Sequence, residues 1–195
     1  MIRKHIKLFA AYGGVTATAL EWFALLFFYL QEPQLFTGEH PLSYFATLPE
    51  TKAVFSICYL GAAISFWIFA NHHLRTLYYI PIKVFAFSMF AFACLALYPY
   101  NPGNAVSNTM HIVLAQASFA SFLLGMALMA RHAYDIRFKV VTYIAVAISA
   151  VLLTALIFQP HTSRLILILE VGAWFMFQVW TIWISRHAYL KARKA

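Results

Sequence analysis

Two carboxyl side chains stand where acids are rare. Glu21 lies in the run Thr18-Ala19-Leu20-Glu21-Trp22-Phe23, and Glu170 in Leu167-Ile168-Leu169-Glu170-Val171. The remaining acids, Glu32, Glu39, Glu50 and Asp135, fall between apolar runs. A charged group near a bilayer centre costs on the order of 3 kcal/mol on insertion scales, so such a residue faces a bundle interior and finds a partner. At the helical rise, Glu21 lies roughly 14 Å below Leu30 and Glu170 roughly 8 Å below Leu165. Three histidines converge on the same level: His40, His111 and His161. Carboxyl and imidazole groups together are the parts of a general acid–base pair, or of a mixed oxygen and nitrogen metal site. Glu21, His111 and Glu170 are therefore the catalytic candidates. His40, His111 and His161 are the candidates for a metal, although no metal and no cofactor is assigned. A wider binding set adds Ser43, Tyr98, Asn101, Gln116 and Arg164 to His40 and His111. The alternative is structural, with each glutamate protonated or hydrogen-bonded to Thr, Gln or backbone and the histidines merely interfacial.

The elements that must position these residues are six apolar runs. They are Leu8–Leu30, Ala53–Ala70, Ile82–Leu97, Met110–Ala130, Val140–Phe158 and Leu165–Ile184. About twenty apolar residues span a bilayer as a helix, and backbone groups in lipid must be satisfied within the segment. The expected fold is therefore all-α: one transmembrane domain of six helices covering 1–195. Pro81 suits the first turn of the third helix. The basic start and the Ala17-Thr18-Ala19 triplet look like a secretory signal, yet the apolar run continues past it, which reads as an uncleaved first span.

Composition agrees. The chain is 63% hydrophobic and only 10% charged, against roughly a quarter charged in soluble domains. The net charge of +8 does not point to nucleic acid, because the basic residues sit in short connections between apolar runs. Arg3, Lys4, Lys7, Arg75, Lys83, Arg131, Arg137, Lys139, Arg186, Lys191, Arg193 and Lys194 all fall on one side if six spans cross. Lys52 and Arg164 fall on the other. The positive-inside rule makes the first side cytoplasmic, with both termini there, in a multi-pass plasma-membrane protein. The basic tail would favour anionic lipid headgroups. Cys58 and Cys94 read as packing residues.

Helix faces refine the picture. Gly14, Ala17, Thr18 and Glu21 share a face of the first span, which turns Glu21 toward neighbouring helices. His111, Ser118 and Gly125 share a face of the fourth, with Gln116 on another. His72, His132 and His187 recur at the ends of the second, fourth and sixth spans, where cations suit the helix dipole. No Gly-x-Ser-x-Gly, His-Glu-x-x-His or Walker motif occurs.

Three segments carry a resemblance: His40-Pro41-Leu42-Ser43 ahead of the second span, Tyr98-Pro99-Tyr100-Asn101 followed by His111, and the short loop with Arg164. Together they resemble the bacterial and archaeal six-span family catalogued as domain of unknown function number 998, itself distantly like the DRAM, Frag and Sfk membrane proteins. The family commonly has an Asp after the loop proline, where this chain has Tyr100-Asn101. The resemblance implies six spans and an outer polar pocket, and brings no reaction with it. The expected role is binding a lipid or small amphiphile, or assisting another membrane component. A membrane enzyme acting on a lipid or envelope substrate is the alternative. A small transporter is a third, weakened by the lack of a Gly/Pro break at mid-span.

Overall fold

In a computed structural model, residues 10–37, 40–74, 79–101, 103–133, 135–159 and 165–194 are described. Among them every regular element is helical. Among the described residues from Gly13 onward, six α-helices follow one another: α1 (Gly13–Gln31), α2 (Pro49–Phe69), α3 (Tyr79–Cys94), α4 (Ala105–His132), α5 (Ile136–Ile157) and α6 (Ile166–Lys194). Two short 3₁₀ turns, Pro33–Leu35 and Leu42–Thr47, lie between α1 and α2. A π turn, Ala70–Leu74, prolongs α2.

Local sequence accounts for the ends. Asn104 caps α4 by accepting a hydrogen bond from Ser107 N–H at 3.0 Å, and Asp135 caps α5 by accepting from Arg137 N–H at 2.8 Å. Pro49 opens α2 at a position whose N–H would have no helical partner. The helices differ from the apolar runs that announce them. α4 begins at Ala105 rather than Met110, α5 at Ile136 rather than Val140, and α6 continues past Ile184 to Lys194. The reason is that an apolar run marks the part of a helix that tolerates lipid, whereas caps and helix-forming polar residues carry it further. The start of the first run at Leu8 lies outside the described residues.

Among the described residues, five helices are long and apolar enough to cross a membrane: Gly13–Gln31, Pro49–His73, Ala105–His132, Ile136–Ile157 and Ile166–Leu190. α3 is shorter. Its chain tightens after Cys94, where the amides of Leu95, Ala96 and Leu97 bond back three residues to Phe92, Ala93 and Cys94. The apolar run therefore remains hydrogen-bonded through Leu97.

Each helix packs against its neighbours in the chain, and α6 packs back on α1, which closes a ring. The centre is aromatic. Phe122 lies 5.3 Å from Phe66, 5.2 Å from Phe85, 4.9 Å from Phe177 and 5.9 Å from Trp180, ring to ring. Polar ties join helix pairs around it. Ser88 Oγ donates to Ser118 O at 2.8 Å while Ser118 Oγ donates to Ser88 O at 3.1 Å, linking α3 to α4. Trp180 Nε1 donates to Thr142 Oγ1 at 3.0 Å, linking α6 to α5. Such pairs satisfy polar groups that lipid cannot. By contrast α5 leaves Val140, Val141, Ile144, Ile148 and Val151 exposed, an apolar face that suits hydrocarbon.

Candidate functional site

The turn Leu42–Thr47 ties the first connection to two distant helices. It is seated by Phe45, which is fully buried and stacks on Phe28 at 4.9 Å. Thr51 Oγ1 donates to the Phe45 carbonyl and fixes the turn to the start of α2. Two adjacent residues then reach across the bundle. Leu42 N–H donates to Glu170 Oε2 on α6 at 2.8 Å, and Ser43 Oγ lies 2.9 Å from His111 Nε2 on α4. The other imidazole nitrogen, Nδ1, is 3.0 Å from the Tyr98 carbonyl. A carbonyl can only accept, so Nδ1 carries a proton, and in the neutral ring Nε2 accepts from the Ser43 hydroxyl. The Tyr100 and His111 rings meet in a T shape, with centroids 6.1 Å apart and planes at 75°. Glu170, His111 and Ser43 are 9%, 7% and 3% exposed, so all three polar groups are buried and each has a partner.

Beside this tie lies a cavity of about 520 Å³ between α4, α5 and the start of α6. Pro41, Tyr100, His111, Gln159 and Glu170 stand at its loop end. Phe119, Ala120, Leu123, Ala150 and Leu153 line it further along α4 and α5. Between them Gln116 and Thr154 add polar groups part-way down. From His111 to Leu123 the helical rise is roughly 18 Å. The cavity is thus polar at the loops and apolar below, the usual design of a small-molecule site with a few fixed polar groups.

The sequence candidates are distributed as follows. His111, Gln116 and Glu170 line this cavity. Ser43 touches His111, and Tyr98 contributes its backbone carbonyl. His40 stacks on Tyr44 at 4.3 Å instead, and Asn101 Oδ1 accepts from Gly103 N–H at 3.0 Å within its own turn. Arg164 and His161 lie outside the described residues. Glu21 lines two smaller clefts toward the middle of the bundle, the larger about 50 Å³. There its Oε2 accepts from Gln178 Nε2 at 2.7 Å. Gly14, Ala17 and Thr18 on its face are buried, and Glu21 itself is half-buried. Glu21 is therefore an α1–α6 tie, and the loop-end cavity is built around His111 and Glu170. Among the described residues, no three His, Cys, Asp or Glu side chains come together as a metal would require.

Sequence reasoning missed Pro41, Tyr100, Thr154 and Gln159 as lining residues, and Gln178 as the partner of Glu21. Gln159 and Gln178, amides within or beside apolar runs, were the available signal. Tyr100 and Pro41 stand out in the sequence only through the segments that carry the family resemblance. Comparison with protein-family models, curated proteins and solved structures finds no match to the chain.

Proposed function

We propose that the chain is a six-span protein of the plasma membrane that binds a lipid or small amphiphile in the cavity beneath its first and second outer loops. The basic residues support the orientation, since they place the cavity's loop end on the face away from the cytoplasm. α3, shorter than the other five helices, crosses with them in this reading, its run prolonged to Leu97 by the tightened turn. The resemblance to the six-span family named above belongs to the same reading.

One observation carries the binding role: along about 18 Å of α4 the cavity passes from His111 at its polar loop end, past Gln116 and Thr154, to an apolar floor at Phe119, Ala120 and Leu123. That gradient fits a head held near His111 and Glu170 with a hydrocarbon chain lying between α4 and α5. The test uses a hexadecanol probe with a diazirine in its chain, offered to the full chain in phosphatidylcholine nanodiscs. Crosslinks should concentrate on Phe119, Leu123 and Leu153 above the outward-facing Ile144 and Val151. Filling the cavity with Ala120→Trp should remove that excess and leave the outward labelling unchanged. Labelling of the two sets in equal measure would dispose of the reading.

An enzyme is the second reading, favoured by one contact. Ser43 Oγ meets an imidazole nitrogen whose opposite N–H is held by a carbonyl, the order of nucleophile, base and orienting group found in acyl hydrolases. An alkyl fluorophosphonate would then label Ser43, and the label would vanish in Ser43→Ala and His111→Ala. Absence of labelling leaves the pair as a structural tie.

A further inference from the structure

We propose that the loop-end cavity selects amphiphiles whose head carries an ammonium group, received by Glu170 beside the ring of Tyr100. The proposal rests on the binding role above and names the chemistry of the head. It follows from which polar groups at the mouth remain available. His111 is committed at both nitrogens, to Ser43 and to the Tyr98 carbonyl. Gln116 and Thr154 stand lower, along the path of the chain. Gln159 has an amide at the mouth and Tyr100 a phenol; Glu170 is the carboxyl there, and its Oε2 has the Leu42 N–H as partner. An ionised carboxylate has about four acceptor sites on its two oxygens, so one backbone donor leaves capacity for several more.

Charge decides which head fits. Among the described residues lining the cavity there is no Lys or Arg, and Glu170 is the only acid. A carboxylate buried this deeply is costly unless a cation pairs with it and fills its remaining acceptor sites. An ammonium head brings a full positive charge with up to three N–H donors. A hydroxyl head brings a donor without charge. A phosphate or carboxylate head brings like charge against Glu170 and meets no described cation. Tyr100 also lines the mouth, and an aromatic ring there is a group to which cations are attracted.

Three probes share one diazirine-bearing hexadecyl chain and end in an amine, an alcohol or a phosphate. Each is offered at equal concentration to the full chain in phosphatidylcholine nanodiscs, and crosslinks to Phe119, Leu123 and Leu153 are divided by those to Ile144 and Val151. The expected order is amine, alcohol, phosphate, with the amine about tenfold above the phosphate, equivalent to about 1.4 kcal/mol. In Glu170→Gln the amine should fall to the level of the alcohol. A phosphate equal to or above the amine overturns the proposal, and loss of that phosphate labelling in Arg164→Ala would assign the head to Arg164 instead. An amine preference that survives Glu170→Gln also overturns it. If the alcohol labels the cavity and the amine does not exceed it, head selection fails while the binding role stands. If no probe labels the cavity above the outward face, both fail. The ranking on the unmodified chain needs no variant, so the test holds even if Glu170→Gln does not fold.

Discussion

His111 binds three parts of the chain through one ring: its own helix, the Ser43 hydroxyl and the Tyr98 carbonyl. Its removal leaves the buried Ser43 hydroxyl without its partner, at a cost of about 1–3 kcal/mol, and frees the part-buried Tyr98 carbonyl. We expect His111→Ala to lower the melting midpoint in detergent clearly, and Ser43→Ala to lower it less, since Nε2 alone then loses its partner. Coincident melting curves for His111→Ala and the unmodified chain would show that the tie contributes nothing. The chemistry of His111 and Glu170 was legible from residue type and depth. Their common depth also suggested one outer-half cavity, and both line the loop-end cavity, although Glu21, expected with them, does not. The role of Leu42 was not legible, because it takes part through its amide, a group that every non-proline residue carries and that no sequence pattern singles out. Glu21 was legible as an inward-facing acid, and its partner was hidden because Gln178 lies in the last helix, far along the chain.

Among the helices, α1 shows what close approach requires. A Cβ on Gly14 would meet Thr181 Cγ2 at 3.0 Å and would collide with Ser185 Oγ. A Cβ on Gly172 would come no nearer than 3.4 Å, to the side-chain tip of Leu152. Overpacking of a tight contact costs about 1–3 kcal/mol. Gly14→Ala should therefore destabilise the chain in a denaturant titration, while Gly172→Ala should leave it nearly unchanged. Equal behaviour of the two would contradict the close α1–α6 approach. The small-residue face Gly14-Ala17-Thr18 was readable by helical spacing alone. The helix ends were not, since the caps Asn104 and Asp135 extend α4 and α5 beyond the apolar runs that made them visible.

The whole molecule is a closed ring of helices around an aromatic centre, with an apolar exterior most evident on α5. Its all-helical, membrane-crossing character followed from hydropathy, because lipid leaves the backbone so few choices. That the main cavity lies between α4 and α5 did not follow, since periodicity assigns faces to each helix without saying which faces meet. In the six-span arrangement, reporters fused after Asn101 and His161 should read outside, and those after Arg75 and Arg137 inside. One reversed reporter would change the number of spans.

The closure of the ring also orders events during synthesis. The turn bearing Leu42 and Ser43 leaves the ribosome between the first two helices, while Glu170 and the α1-packing face of α6 emerge near the end of the chain. Until then the Leu42 amide lacks its carboxyl partner and the Glu21 carboxyl lacks Gln178. The early hairpin therefore waits in the bilayer with both groups uncommitted, and the arrival of the last helix completes two long-range polar ties in a single docking step.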